Sequence, residues 1–411
     1  MSSKIASSSN ISANASQNTP SESPSFILKL TIALIGMFAF LQVYSIQSIL
    51  PVLMHSFSAT EVQVGMGVGA TVMAIAIMSP FLGMLSDAIG RKLLITGALF
   101  FLAVPTALIA LSSSMEWLTF WRFMQGLSVP GITVVTIAYV GEEFKGRAVT
   151  ELMSYYVSGT VFGGFMGRFI LGHLHEWMGW RNAYYVMAGL TLAGAIWVTR
   201  TLPASQHFEA NPNFRSALQT LAGHLTNRYV ISACLLGACV LFSLVGCFTF
   251  INLHLAESPY TLSTGQLANI FAVYLIGVII TPLSSRIVRR FGSARTVIAA
   301  VIMSMLGVLL TLSAPLWLII VGLSVMSSGV FITQSATISY IAVNVAKGRS
   351  LASGLYYMSY YAGGTLGAWA CGLAYARGQW LWTVWLLLAI QVVALLIASL
   401  GMVKTSLNKA T

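Results

Sequence analysis

The sequence has few charged residues and very few acidic ones. Of its 411 residues, 8% are charged, only 10 are Asp or Glu, and 57% are hydrophobic. A soluble chain carries roughly a quarter charged residues, so this one cannot cover a water-facing surface. The composition excludes a soluble globular protein and predicts that most outward-facing side chains meet lipid.

Cysteine is also scarce, and none of it lies in a metal-binding pattern. The four cysteines are Cys234, Cys239, Cys247 and Cys371. All lie in apolar runs with no ligand spacing, which predicts small buried side chains rather than disulfides or a metal site. We therefore expect no metal and no cofactor.

An enzyme inside the membrane would need a paired acid, a histidine cluster or a nucleophile with its base. His173 and His175 lie close together but at a predicted outer helix end. The sequence therefore does not favour an enzyme. The net charge of +11 is spread over short loops without a basic stripe, so nucleic-acid binding is not expected either.

Long apolar runs dominate what is present. A helix that crosses about 30 Å of hydrocarbon needs about 20 mostly apolar residues. Twelve such runs are predicted, at 27–52, 62–86, 93–112, 117–140, 150–173, 182–201, 229–252, 266–285, 294–313, 315–340, 351–375 and 381–403.

The positions of Lys and Arg indicate how these spans are oriented. With both termini in the cytoplasm, 17 of the 21 basic residues fall on the cytoplasmic side, and only Arg181 and Arg377 fall outside. One missed span would invert every later loop. The bias thus predicts a multi-pass inner-membrane protein with both termini cytoplasmic.

The predicted spans divide the chain into five parts. These are a disordered cytoplasmic tail at 1–25, a six-helix bundle at 26–201, a cytoplasmic linker at 202–228, a second six-helix bundle at 229–403 and a tail at 404–411.

The two predicted bundles repeat the same local patterns. Lys-Gly-Arg occurs at 145–147 and at 347–349, and Met-Ser-Tyr-Tyr at 153–156 and at 358–361. A Gly-x-x-x-Gly pair follows each Met-Ser-Tyr-Tyr run. A repeat of six plus six spans is typical of transporters that rock one bundle against the other around a midplane site.

The loop after the second span, residues 83–92, reads Gly-Met-Leu-Ser-Asp-Ala-Ile-Gly-Arg-Lys. It resembles the G-x-L-x-D-R-x-G-R-K signature of the major facilitator superfamily, with Ala88 in place of the usual Arg. The resemblance implies an all-α membrane fold of twelve helices in two six-helix bundles related by pseudo-two-fold symmetry.

The resemblance also implies a latch in which Asp87 meets the start of span eleven, near 349–352. The alternative is that Asp87 only balances nearby cations in a solvated loop. Arg91 is predicted to pair with Glu142 or Glu143. The predicted latch residues are Gly83, Asp87, Gly90, Arg91, Lys92, Glu142 and Glu143.

Span five carries glycines at every fourth position, which lets helix backbones approach closely. It resembles the glycine-rich fifth helix of drug:proton antiporters, but departs from it at Gly164 and Arg168. We expect these helices to pack at the interface between the bundles. The predicted packing residues are Gly159, Gly163, Gly164, Gly167, Gly363 and Gly367.

These motifs together resemble the YnfM group of bacterial inner-membrane transporters. The resemblance implies a proton-driven exporter, linked in that group to drug or dye sensitivity and to sugar efflux.

Only Arg122 and Arg168 lie well inside predicted spans, each about 7–8 Å from the outer end. Either side chain is also explained by snorkelling or by a structural role. Residues 122–126 resemble the R-x-x-Q-G element of the family's fourth helix, implicated there in proton coupling. We expect Tyr44 and Gln47 as neighbours of Arg122.

No carboxylate lies deep in any predicted span, and no acidic residue follows Glu257. We therefore hypothesise a site for neutral or anionic cargo, with the arginines as forked donors. Each candidate side chain is alternatively a packing or interfacial residue. The predicted substrate-binding residues are Tyr44, Gln47, Arg122, Gln125, Tyr156, Arg168, Gln334, Tyr357, Tyr360 and Tyr361.

The sequence thus predicts a monomeric secondary transporter that moves a small molecule by alternating access, with protons and membrane lipid as its other partners. Proton-coupled efflux of a drug, sugar or metabolite is the first hypothesis. Uptake of an anionic or neutral metabolite is an alternative. A substrate sensor built on a transporter fold is an alternative of another class.

Overall fold

A computed structural model describes residues 24–206, 224, 226–345 and 349–403, without the side chains of residues 83, 84, 87, 349, 350 and 403. Nearly all of both predicted tails and most of the predicted linker lie outside these ranges. Every regular element in the described part is a helix, so the predicted all-α membrane architecture is confirmed.

The first half of the chain forms α1 to α6. These helices are α1 (Phe26–Val43), α2 (Leu50–Phe57), α3 (Glu61–Ile89), α4 (Arg91–Ile109), α5 (Met115–Glu143) and α6 (Arg147–Thr201). A 3-10 segment, Ser45–Ile49, joins α1 to α2.

The second half forms α7 to α12. These helices are α7 (Arg228–Ala256), α8 (Thr264–Ile270), α9 (Ile276–Phe291), α10 (Ser293–Leu310), α11 (Leu316–Asn344) and α12 (Arg349–Ile397), and α12 continues into a π-helix at Ala398–Val403. A 3-10 segment, Phe271–Leu275, joins α8 to α9.

The halves repeat each other in helix length and in their turns. α5 and α11 each have 29 residues, while α4 has 19 and α10 has 18. Gly90 before α4 and Gly292 before α10 both have positive φ, 98° and 80°. Only glycine adopts such a φ without strain, so both sharp turns need it.

Two long helices are each interrupted by non-helical residues. Gly179 divides α6, and Gly378 with Gln379 divides α12. The divided helices are consistent with six spans per half. By length and composition alone, nine helices in the described part are suited to cross a membrane.

The structure departs from the predicted spans where regular helix is interrupted. Span one was predicted as continuous over 27–52, but it contains the segment Ser45–Ile49. Span eight, predicted over 266–285, contains Phe271–Leu275. Apolar periodicity does not reveal such interruptions, because a short 3-10 segment keeps the same composition as the helix around it.

The glycine stripes pack helices within each half rather than between the halves. A Cβ at Gly159, Gly163 or Gly167 would lie 1.9–2.1 Å from a carbonyl oxygen of α1. A Cβ at Gly363 or Gly367 would lie 2.1–2.4 Å from a carbonyl oxygen of α7. The expectation that the stripes lie at the sliding interface is therefore wrong.

Gly164 differs from the other glycines of its stripe. A Cβ at this position would meet only Nη1 of Arg168, at 3.7 Å. It lies on the side of α6 that faces Arg168, not on the side that packs against α1.

Replacement of Gly163 by Ala is expected to destabilise the protein by about 1–3 kcal/mol, because the new Cβ would overlap the Met37 carbonyl. The matched control is Gly189→Ala, which meets nothing within 4 Å. Thermal unfolding in detergent measures both. Equal melting temperatures for the two variants would contradict the close packing of α1 and α6.

Candidate functional site at the interface between the halves

Arg122 is completely buried, and its guanidinium bonds to groups of the first half. Nε donates to the Gly67 carbonyl at 3.0 Å, and Nη1 donates to the Gln42 carbonyl at 2.6 Å and to Oε1 of Gln125 at 2.7 Å. Nη2 donates to the Val43 carbonyl. Four of its five N–H groups therefore have protein acceptors in this conformation.

The same network makes a second bond to α3 and extends to one more helix, α4. Nε2 of Gln125 donates to Oγ1 of Thr106 at 2.7 Å, and Oγ1 of Thr71 donates to the Arg122 carbonyl at 2.9 Å. These bonds join α1, α3, α4 and α5. A cargo contact of Arg122 or Gln125 stays a prediction, because this geometry ties both side chains into the first half.

Arg168 is also buried, with 1% of its surface exposed, but its surroundings differ. Nε donates to Oε1 of Gln47 at 2.8 Å, and Nη1 donates to the Gly164 carbonyl at 2.5 Å. The bond to Gly164 turns the side chain back along α6, away from the helix end toward which it would snorkel. The structure thus places Gln47 beside Arg168, not beside Arg122 as expected.

Gln47 connects this arginine to the second half. Its Nε2 donates to Oγ1 of Thr249 on α7 at 2.9 Å. Arg168, Gln47 and Thr249 therefore form a buried hydrogen-bonded chain that crosses the interface.

Three aromatic rings surround the Arg168 guanidinium. Its Cζ lies 4.8 Å from the ring centroid of Tyr44, 4.4 Å from that of Phe271 and 4.6 Å from that of Tyr274. These distances are in the range of cation–π contacts. Tyr44 belongs to the first half, whereas Phe271 and Tyr274 belong to the 3-10 segment of the second half. We call these three side chains the ring cage.

The predicted tyrosines of α12 form one cluster. The ring centroids of Tyr360 and Tyr361 are 5.5 Å apart, and those of Tyr357 and Tyr361 are 6.4 Å apart. Tyr361 also lies within electrostatic range of Tyr44 and Tyr156 in the first half. The predicted tyrosines of the two halves thus lie near one another at the interface.

Tyr156 and Gln334 were predicted as site residues, but neither has a described hydrogen bond to the tyrosine cluster. The Tyr156 hydroxyl donates to the Thr133 carbonyl at 3.4 Å, within the first half. Gln334 is half-buried on α11, and no described contact joins it to Arg168 or to the tyrosines. Its place in the site stays a prediction.

One end of the interface is closed by direct bonds between α6 and α8. Oε1 of Glu176 accepts the Gly265 N–H at 2.8 Å, and Oγ1 of Thr264 donates to the Gly172 carbonyl at 3.1 Å. We call these four residues the sealed end. Nearby, Nε2 of His173 lies 3.1 Å from Oδ1 of Asn269.

A second contact, between α3 and α12, lies toward the same end. Oγ1 of Thr365 donates to the Gly69 carbonyl at 3.2 Å, and a Cβ at Gly65 would lie 2.6 Å from the Ala368 carbonyl. Where both partners are described, all hydrogen bonds between the halves lie in this region or at Gln47.

The predicted latch residues lie near the opposite ends of α3 and α5. Arg91 contacts Glu142 through both side-chain branches, with Nε–Oε2 at 2.9 Å and Nη2–Oε1 at 2.5 Å, and it also donates to Ser86. Oε1 of Glu143 accepts the Gln206 N–H at 2.9 Å. This Arg–Glu pair lies within the first half.

The other predicted latch residues show no described contact with the second half. Lys92 is half-buried, and Gly90 forms the turn into α4. The side chain of Asp87 and the start of α12 lie outside the described side chains, so the latch stays a prediction.

Sequence reasoning missed Thr249, Phe271, Tyr274 and the pairing of Glu176 with Gly265. In a span, one Thr or one aromatic residue is indistinguishable from packing until its neighbours are known. The only sequence signal for the ring cage was the pair of departures at Gly164 and Arg168.

The comparisons with known proteins decide the family. A family model described as Major Facilitator Superfamily matches residues 32–273. The chain belongs to the major facilitator superfamily. It is therefore a multi-pass membrane transporter of small molecules rather than an enzyme, as the sequence predicted.

Similar proteins span most of the chain. An uncharacterized transporter of Buchnera aphidicola subsp. Schizaphis graminum is 29% identical over 82% of each chain. The inner membrane transport protein YnfM of Escherichia coli is 29% identical over 86% of this chain and 85% of its own. The predicted resemblance to the YnfM group is thus confirmed.

A solved structure shows the same fold. A bacterial homologue of the human lysosomal transporter Spinster, in an inward-facing and occupied conformation, has a TM-score of 0.74 at 16% identity, over 91% of this chain and 96% of that one. The predicted major facilitator fold is confirmed.

Shorter stretches match transporters with named substrates. The sialic acid transporter NanX of Escherichia coli is 25% identical over 39% of each chain. The multi-drug resistance efflux pump PmrA of Streptococcus pneumoniae is 28% identical over 32% of this chain.

In this transporter, Glu176→Ala is expected to weaken the sealed end, because the Gly265 N–H loses its acceptor. Spin labels at the exposed positions Ser56 and Arg377, in a variant without native cysteines, report the distance between the halves. A longer-distance population should grow. Glu257→Ala removes another exposed acid and should leave the distances unchanged.

Lowering the pH should weaken the sealed end, as Glu176→Ala does, and should increase the longer-distance population. Hydrogen bonds from Ser263 and from the Gly265 N–H lower the pKa of the Glu176 carboxyl below 4.5. A lowered pKa means that its contribution to the sealed end is present above 4.5 and is lost as the pH falls through the lowered value. Distances that respond to acid equally in wild type and Glu176→Ala would contradict this role.

Proposed function

We propose that this transporter exports an organic small molecule in exchange for protons, as a monomer with both termini in the cytoplasm of a bacterial inner membrane. The observation that carries this is the interface itself. The halves are joined at one end by a few direct bonds, while a buried arginine and a tyrosine cluster lie between them.

The bias of basic residues supports the orientation. Under that topology, Gly172, Glu176 and Gly265 lie on the external side, and the Arg91–Glu142 pair lies on the cytoplasmic side. The conformation is then the one closed to the outside. Parting of the sealed end would expose the site to the external face, as alternating access requires.

Few bonds hold the sealed end, which supports a reversible closure. Three described side-chain contacts join α6 to α8, and close glycine contacts accompany them. Small residues pack tightly without interlocking, so the same surfaces part without unfolding the halves. A permanent interface would be expected to bury larger interdigitating side chains.

Proton coupling is proposed to act through groups at this interface. No described carboxylate lies deep in a span, whereas Glu176, His173 and His175 lie at the sealed end. Arg122 would take part indirectly, since it fixes the end of α1 beside Tyr44. The partial match to the efflux pump PmrA supports export, and the match to NanX leaves uptake as the alternative for the test.

The test is counterflow in proteoliposomes with a panel of dyes, sugars and organic acids, repeated with a proton uncoupler. We expect exchange of at least one panel member, and accumulation in everted vesicles that the uncoupler abolishes. Accumulation only in right-side-out vesicles would replace export by uptake. Binding without any exchange would make the protein a sensor and contradict the proposal.

A further inference from the structure

Arg168 lies where the two 3-10 segments, Ser45–Ile49 and Phe271–Leu275, come close to each other. Its Nε contacts Gln47 in the 3-10 segment of the first half, and its Cζ faces Phe271 and Tyr274 in the 3-10 segment of the second half. Short 3-10 stretches inside spans often mark hinges, and broken helices in transporters border the cargo site. Glu176 also joins the halves, but it is exposed, whereas Arg168 is buried.

The guanidinium of Arg168 is incompletely bonded. Nε and Nη1 have one acceptor each, and Nη2 has none among the described residues. The titratable groups near it are Tyr44 and Tyr274, and no described carboxylate pairs with it. A buried cation without a counter-ion is costly in a membrane interior, so an anion that reaches it is bound strongly.

Arg122 shows that the missing bonds are specific to Arg168. Both side chains are buried at a similar predicted depth, but Arg122 donates four bonds, three of them to backbone carbonyls. Its donors are committed to the first half. Arg168 instead has no acceptor for Nη2 among the described residues, and its Cζ lies 4.4–4.8 Å from three ring centroids.

The ring cage stabilises Arg168 only while the halves are together. Two of its three rings, Phe271 and Tyr274, belong to the second half. If the halves part at the sealed end, these rings move away with α8 and α9. The guanidinium then keeps only Tyr44, Gln47 and the Gly164 carbonyl, and a cargo bound to it faces the external side, where an exporter releases it.

We propose, on the basis of the proposed function, that Arg168 binds the anionic group of the cargo and that the ring cage takes its place when the site is empty. The cargo class is an organic anion with a carboxylate or phosphate group and an apolar or aromatic body. The planar guanidinium matches two oxygens of such a group. The rings and the tyrosine cluster contact the body of the molecule.

The sequence departures fit this assignment. Positions 164 and 168 are those at which the chain differs from the glycine-rich helix of drug:proton antiporters, and the structure brings them into contact. A Cβ at Gly164 would lie 3.7 Å from Nη1, so this position lies directly beside the guanidinium. Arg168 would repel a cationic drug. The two departures therefore favour an anionic cargo over a cationic one.

The first experiment measures binding to the purified protein with three matched pairs of probes. These are benzoate with benzamide, phenyl phosphate with phenol, and hexanoate with hexanamide. We expect at least one anion to bind wild type more tightly than its neutral partner. The benzoate and phenyl phosphate arms distinguish a carboxylate site from a phosphate site.

Variants then assign the effect to Arg168. Arg168→Gln should weaken binding of that anion about tenfold to a hundredfold, because a charged hydrogen-bond donor is lost. Arg168→Lys keeps the charge without the fork and should bind with intermediate affinity, which also controls for misfolding. Arg377→Gln removes an exposed charge and should bind as wild type does.

Three outcomes would overturn the assignment: no probe anion binds wild type, neutral partners bind as tightly, or Arg168→Gln binds the anion unchanged. Transport separates this from the proposed function. If anions bind through Arg168 but no exchange occurs, the proposed transport function is wrong and the anion site stands. If Arg168→Gln exchanges a neutral cargo as fast as wild type does, the anion site is wrong and the transport function stands.

Discussion

A buried positive charge must find its partners inside the protein, and this constraint shapes the interface between the halves. Arg168 is bonded to Gln47, which is bonded to Thr249 of the other half. While the halves are together, both groups are buried, so neither the guanidinium nor the amide can turn to water. The chain of bonds and rings therefore links the protonated side chain to the conformation of the whole transporter.

The two intramembrane arginines, Arg122 and Arg168, have different structural roles. Arg122 bonds to carbonyls of α1 and α3 and so holds the first half together as a unit. The glycine stripes do the same for α1 with α6 and for α7 with α12. Rigid halves are a condition of rocking motion, because relative rotation is useful only if each half keeps its shape.

Much of the fold was readable from the sequence, and the interface was not. Apolar run lengths and basic loops predicted the helices, since a bilayer dictates both, and the residues 83–92 indicated the family. The contribution of Phe271 and Tyr274 to the ring cage could not be predicted, because it depends on how two 3-10 segments that are distant in the sequence meet in space. For the same reason, Gln47 was assigned to Arg122 although it lies against Arg168.

The central claim is that the sealed end must open for transport. It is tested by cross-linking Glu176→Cys to Ser263→Cys with a reducible bifunctional thiol reagent, in protein without its native cysteines, and then measuring exchange in proteoliposomes. The account predicts that exchange stops in the cross-linked protein and returns on reduction, while each single-cysteine variant is unaffected by the reagent. Undiminished exchange by fully cross-linked protein would contradict it.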